Sequence, residues 1–267
     1  MPDFLTLDYS PLDRTEILQH LFHPRPEPPA AAPPAGSVEL TVPVAPGVSL
    51  GARLHPAGAA AATLLFFHGN GEIVADYDDL GPLYARLGIN FLAVDYRGYG
   101  RSGGRPTVSA MMADAQAVLA FARDYIDGQG WSGPLLTMGR SLGSASALAL
   151  AARHGDAVAG LIVESGFAYA GPLLRLLGVD TGRIGAQTLR VFDNIDMMRA
   201  VRRPTLIIHA ERDHIIPFSD ARALFEASPA ADKTLLPIPE ANHNDIFFHG
   251  LEAYLQAVKG LVDRVLG

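Results

Sequence analysis

At 267 residues, with 49% hydrophobic and 18% charged side chains, the chain has enough apolar material for a sizeable core, which excludes a disordered or fibrous polymer. A net charge of −7, with no lysine- or arginine-rich run, argues against nucleic acid as a partner. The absence of cysteine removes disulfides, thiolate metal sites and a cysteine nucleophile together, and suits a reducing compartment such as the cytoplasm.

The opening stretch, MPDFLTLDYSPLDRTEILQHLF, lacks a basic region leading into a long apolar run, so no signal peptide is expected. No apolar run anywhere reaches the ~20 residues that cross a bilayer, and no membrane span is expected. An amphipathic helix is expected around Asp13 to Phe22. The segment PRPEPPAAAPPAG that follows is proline-rich and reads as an extended tether over the surface. Residues 1–36 thus read as a helix and tether, and residues 37–267 as the globular domain.

SVELTVP and GVSLGARLHP alternate apolar and polar positions around Pro46-Gly47, the pattern of an antiparallel pair. The period then changes. TLLFFH (63–68), INFLAVD (89–95), PLLTMGR (134–140), GLIVES (160–165) and PTLIIHA (204–210) are short, nearly continuous apolar runs, suited to strands buried on both faces. Between them lie helical patterns over Asp76–Leu87, Ser109–Ile126, Leu142–Arg153 and Ser219–Ala227. A last strand, KTLLPIP (233–239), precedes a helix from about Leu251 to Val265. The alternation predicts an α/β fold: a mostly parallel sheet of about eight strands with helices on both faces. The connection from about 166 to 203 is far longer than a crossover requires and reads as a small helical cap.

Ligands in open α/β sheets gather beyond the carboxyl ends of the strands, so the loops after the apolar runs are where chemistry is expected. GRSLGSA places Ser141 between Gly139 and Gly143, after a strand and before an alanine-rich helix. A serine on a sharp strand-to-helix turn exposes its hydroxyl, and glycines there avoid clashes with the neighbouring strand and helix. The plain alternative is a serine that merely caps the helix.

A serine nucleophile needs a base and a carboxylate to orient that base. His243, in a loop after the last strand, and Asp213, a few residues after PTLIIHA, fill these roles in the chain order that the triad adopts on such a sheet. His209 and His214 are rival bases, and Glu164, at the end of GLIVES, is the rival acid. His249 is expected on the last helix. A tetrahedral oxyanion needs two aimed N–H donors, and the backbones of Asn70, in HGNGE, and of Leu142 are the candidates. Arg140 is expected to pair with an acid such as Glu164 or to hold a substrate carboxylate.

In order, HGNGE, DYRGYGRSGG, GRSLGSA, ERDHIIPF and ANHND give the chain, from about residue 37 onward, a pattern that resembles the α/β-hydrolase superfamily. Within it, the chain is similar to the abhydrolase-domain serine hydrolases, which include eukaryotic protein depalmitoylases and bacterial relatives. The resemblance implies an α/β-hydrolase fold and the same roles for Ser141, Asp213, His243, Asn70 and Leu142. It implies a small-molecule ester or thioester as substrate, with no metal and no organic cofactor. An N-terminal cysteine cluster of the kind that anchors some eukaryotic relatives is missing, which speaks against palmitoyl-protein substrates at a membrane.

In the cap, LLRLLGV (173–179), Phe192, Met197 and Met198 either line an acyl or alcohol pocket or pack the cap onto the body. Gly98 to Gly103 matches G-x-G-x-x-G, but Gly104, Arg105 and Pro106 prolong the loop where a dinucleotide fingerprint would open a helix. Asp95 and Arg97 are expected instead to buttress the loops around the site. No H-E-x-x-H pair supports a metal hydrolase. Two other readings stay open: a peptidase or amidase with the same triad, and a binding protein that keeps the fold without turnover.

Overall fold

The computed structural model describes residues 7–28 and 33–267; the middle of the expected tether, 29–32, and residues 1–6 lie outside the described residues. Eight strands form one sheet: β1 (Val38–Ala45), β2 (Val48–His55), β3 (Ala62–Phe67), β4 (Ile89–Val94), β5 (Leu135–Arg140), β6 (Gly160–Glu164), β7 (Thr205–Ala210) and β8 (Lys233–Ile238). Their order across the sheet is β1-β2-β4-β3-β5-β6-β7-β8. β1 and β2 run antiparallel to each other, β2 runs antiparallel to β4, and the pairs from β3 to β8 are parallel. This is the α/β-hydrolase arrangement that the sequence leads one to expect.

The continuous apolar runs exist because the central strands bury both faces. Along β3, Leu65 and Phe67 enter one core cluster while Leu64 and Phe66 enter the other, as a side-chain period of two requires. The first cluster is covered by α3 (Val108–Gly128), α4 (Ser144–Arg153) and α8 (Phe218–Ala227), and the second by α2 (Gly81–Arg86) and α9 (Ile246–Leu266). Thr107 opens α3 by accepting a hydrogen bond from the Ala110 N–H at 3.0 Å.

Two helices differ from expectation. The pattern over Asp76–Leu87 splits into a 3-10 turn, Val74–Tyr77, and α2, which carries Pro82 in its first turn. Proline has no N–H to donate and its ring collides with the preceding turn, so a helix can start there but cannot run through it. At the other end, α9 begins at Ile246 rather than near Leu251, and the helix kinks at Gly250 (φ −148°, ψ 24°). A Cβ at Gly250 would stand 2.7 Å from Ile238 Cγ2, so glycine lets the helix approach β8 closely.

The long connection after β6 holds three short helices, α5 (Ala170–Leu176), α6 (Ala186–Arg190) and α7 (Asn194–Met198). It is pinned to the body by Asn194, whose Nδ2 donates to Ser144 Oγ and to the Phe167 carbonyl, both at 2.9 Å. Phe192, Met197 and Met198 are almost wholly buried in the main core, where they pack this segment down. At the N-terminus, α1 (Thr15–Leu21) is preceded by a 3-10 turn, Ser10–Leu12. Residues 7–28 send Tyr9, Leu12, Ile17, Leu21 and Phe22 into that same core.

Candidate active site

Ser141 follows β5 directly, with φ at +50°, in the left-handed region that is costly for a residue with a Cβ. The turn is held by contacts only glycine allows: a Cβ at Gly139 would overlap the Gly143 carbonyl, and one at Gly143 would overlap the Phe67 carbonyl. α4 starts only at Ser144, after a 3-10 turn at Ser141–Gly143, and no side chain caps it. The Ser141 hydroxyl is therefore not spent on capping. It lies 3.0 Å from His243 Nε2.

His243 Nδ1 donates in turn to Asp213 Oδ2 at 2.7 Å, and both side chains are buried. Asp213 Oδ1 accepts the N–H groups of Ile215 and Ile216 at 2.9 and 2.8 Å, which fixes the carboxylate plane. Burial alone would raise the Asp213 pKa. The His243 hydrogen bond and charge, with the Ile216 N–H, outweigh it and hold the carboxyl below its ordinary range.

Among the described residues, none of the rival groups is hydrogen-bonded to Ser141 or His243, although His209 Nε2 lies 3.5 Å from Asp213 Oδ2. His209 is fully buried, its Nε2 donates to the Ile216 carbonyl at 2.8 Å, and burial lowers its pKa. His214 is exposed, and His249 lies on α9, 3.7 Å from Asp245. Glu164 accepts from Arg140 Nη1 at 3.1 Å and from the Tyr254 hydroxyl at 2.7 Å. Its burial raises its pKa in spite of the Arg140 charge.

Arg140 does more than pair with Glu164. Its Nε donates to Glu72 Oε1 at 2.7 Å, and its Nη2 donates to the His243 carbonyl at 3.0 Å. Glu72 in turn accepts the Gly69 N–H at 2.6 Å and the Tyr77 hydroxyl at 2.5 Å through its other oxygen. Burial works against the Glu72 charge, but Arg140 and Tyr77 prevail and its pKa is lowered. One guanidinium at the end of β5 thus joins the end of β6 to the loops after β3 and β8.

Ser141, His243, Asn70 and Leu142 share the wall of a cavity of about 250 Å³, and Asp213 stands behind His243. Leu173 and Leu177 from the cap, Ile215 and Leu21 supply its apolar side. Of the buttresses expected in DYRGYG, Asp95 accepts the Val74 N–H at 2.9 Å and so braces the loop after β3. Arg97 instead forms a two-point bond with Asp114 on α3, both at 2.7 Å. Gly100 is required because a Cβ there would overlap the Asp95 carboxylate.

Leu21 and His23 reach the cavity from the N-terminal segment, which sequence reasoning set apart from the site. The signal was present in PRPEP: in an extended segment Arg25 and Glu27 point the same way. Both meet the body, Arg25 through Asp76 and the Gly71 carbonyl, Glu27 through Arg53 and Arg101.

Among the described residues, no cluster of three histidine, aspartate or glutamate side chains is arranged to hold a metal ion, and no helix is long and apolar enough to cross a membrane.

The sequence profile of a family described as serine aminopeptidase, S33, matches residues 58–179, a span that contains Asn70 and Ser141. Human alpha/beta hydrolase domain-containing protein 17B is 33% identical over 208 residues, 76% of this chain and 67% of the relative. Among solved structures, Est1E from Butyrivibrio proteoclasticus, described with bound ferulic acid, superposes with a TM-score of 0.72 at 21% identity, covering 85% of this chain and 99% of that one. An esterase from Pyrococcus furiosus, Pf2001, gives a TM-score of 0.73 at 16% identity, over 92% and 98% of the two chains. At these identities, both structures speak for the fold.

Proposed function

The chain belongs to the α/β-hydrolase superfamily, with the alpha/beta hydrolase domain-containing proteins among its relatives, and from that premise we propose that it cleaves a carboxylic ester through an acyl-enzyme on Ser141. The observation that carries the reading is the line from Ser141 Oγ through His243 to Asp213, with bonds of 3.0 and 2.7 Å, opening on a cavity walled by Asn70 and Leu142.

His243 Nε2 takes the Ser141 proton as Oγ attacks the ester carbon. The carbonyl electrons move onto oxygen, where the backbone N–H groups of Asn70 and Leu142 meet the negative charge. Collapse breaks the bond to the alcohol oxygen, which leaves with the proton from His243. Water then repeats the sequence: His243 takes its proton as the water oxygen attacks the acyl carbon, the bond from that carbon to Oγ breaks, Oγ takes the proton back from His243, and the acid departs. Asp213 stays ionised throughout and holds His243 with Nε2 toward the serine. The scheme uses only protein groups and water, and a thioester would follow the same path with a thiol leaving.

An aminopeptidase, the reading the family description favours, would need a free carboxylate to receive an α-ammonium group. Glu72 and Glu164, the carboxylates next to the site, already spend their oxygens on Arg140, Gly69, Tyr77 and Tyr254. That engagement supports an ester over an aminopeptidase substrate. The cysteine-free composition supports a cytoplasmic location.

A cavity of about 250 Å³ lies just under the ~300–1,000 Å³ of drug-sized sites, which fits a compact acyl group. Hydrolysis of a p-nitrophenyl ester series is expected to fall with increasing chain length and to vanish in Ser141→Ala. Turnover retained by Ser141→Ala, or no hydrolysis of any ester in the series, would overturn the reading.

A further inference from the structure

We propose that His23, with Tyr99, is a positioning residue for the oxyanion donor Asn70, so that the N-terminal segment 21–27 is a working part of the active site. The inference rests on the reading of Asn70 as a donor given above.

The Asn70 side chain is held at both ends. Its Oδ1 accepts the Tyr99 hydroxyl at 2.7 Å and the His23 backbone N–H at 2.9 Å, and its Nδ2 donates to His23 Nδ1 at 2.8 Å. The His23 N–H is shared with the Tyr99 oxygen at 2.8 Å, so the three residues form a closed ring of hydrogen bonds. For His23 Nδ1 to accept, the imidazole must be neutral with its proton on Nε2. Tyr99 is fully buried, and burial raises its pKa, so its hydroxyl remains a donor.

The next residue is fixed as well, because Arg25 Nε donates to the Gly71 carbonyl at 2.8 Å. The segment cannot drift from the loop. Gly100 N–H donates to the Arg25 carbonyl at 2.9 Å, Glu27 N–H donates to the Gly100 carbonyl at 3.2 Å, and the Glu27 carboxylate meets Arg53 at 2.9 Å and Arg101 at 3.1 Å.

These bonds clamp a turn that has little rigidity of its own, since Asn70 lies between Gly69 and Gly71 and Gly71 has φ at +77°. An N–H donor stabilises an oxyanion only while it is aimed before the charge develops. His23 and Tyr99 supply that aim through the side chain, and Arg25 supplies it through the following carbonyl. The DYRGYG motif thereby gains a role that its match to a dinucleotide fingerprint had obscured: it delivers Tyr99.

The test compares His23→Leu, which removes the acceptor, with His23→Asn, whose Oδ1 can stand where Nδ1 stood. Steady-state hydrolysis of a short p-nitrophenyl ester is measured together with the rate of Ser141 labelling by a fluorophosphonate and amide hydrogen exchange at residues 69–72. We expect His23→Leu to lower kcat and the labelling rate about 10-fold, less than the ~100-fold or more for a deleted donor, with KM changed less than about 2-fold. Exchange at 69–72 should quicken while Tm holds, and His23→Asn should restore both.

Unchanged kcat and exchange in His23→Leu would overturn the proposal. So would a raised KM with unchanged kcat in both variants, which would make His23 only a wall of the pocket. Failure of the wild type to label would instead overturn the serine reading, and with it any donor for His23 to position.

Discussion

The guanidinium of Arg140, the residue before Ser141, donates to the backbone carbonyl of His243 at 3.0 Å. The chain therefore couples the two residues expected to exchange a proton twice, once through their side chains and once through a buried arginine that also bonds Glu72, Glu164 and Asn244. Removing one partner from such a network leaves a carboxylate buried without its counter-charge, at a cost of about 3 kcal/mol or more. Arg140→Met is expected to lose that much stability in urea unfolding. Arg140→Lys keeps the charge but has no planar fork to reach three acceptors, so it should fold and still lose kcat.

Asp213, not Glu164, is hydrogen-bonded to His243, and amide substitution tells whether it is the carboxylate that orients the proposed base. Asp213→Asn is expected to lower kcat about 10³- to 10⁴-fold, because the wrong histidine tautomer is then favoured. Glu164→Gln should retain activity within about 10-fold, since Gln still accepts from Tyr254. Steady-state kinetics of the pair would contradict the assignment if the order of damage were reversed.

Much of this was legible in the sequence, for physical reasons that differ by element. TLLFFH and GLIVES declared themselves as strands because burial on both faces makes their central positions apolar, and GRSLGSA declared its turn because the Phe67 and Gly143 carbonyls stand where side chains would be. The period over Asp76–Leu87 reads as one helix because apolar spacing does not register the break that Pro82 imposes. The role of residues 23–27 was not legible as packing, since their anchors are backbone groups, Asn70 and Asp76, Arg53 and Arg101, from three distant parts of the chain. Periodicity cannot report partners that far away.

Acid should weaken the fold in a way Glu72 helps to set. Its carboxyl titrates below its ordinary 4.5 and that of Asp213 below its ordinary 3.8, so each adds stability that is complete above the ordinary value and is lost as pH falls through the lowered one. Glu72→Gln surrenders its share at neutral pH only. The stability gap between wild type and Glu72→Gln is expected to be largest near pH 7 and to shrink below about pH 4. Urea midpoints at the two pH values check this, and a constant gap would count against it.

Gly143→Ala tests the turn itself. The added methyl meets the Phe67 carbonyl, a main-chain group in the centre of the sheet, and neither side can yield by rotating a side chain. A loss of about 2 kcal/mol or more in unfolding free energy is expected, with slower turnover of the proposed ester substrate because Leu142 moves with the turn.

The most direct test of the central claim is the intact mass of the protein, followed by peptide mapping, after treatment with a fluorophosphonate. The account predicts one added phosphonyl group, on Ser141, absent from Ser141→Ala and formed far more slowly in a variant of His243. No adduct on the folded wild-type protein, or an adduct on another residue with Ser141 unmodified, would contradict it.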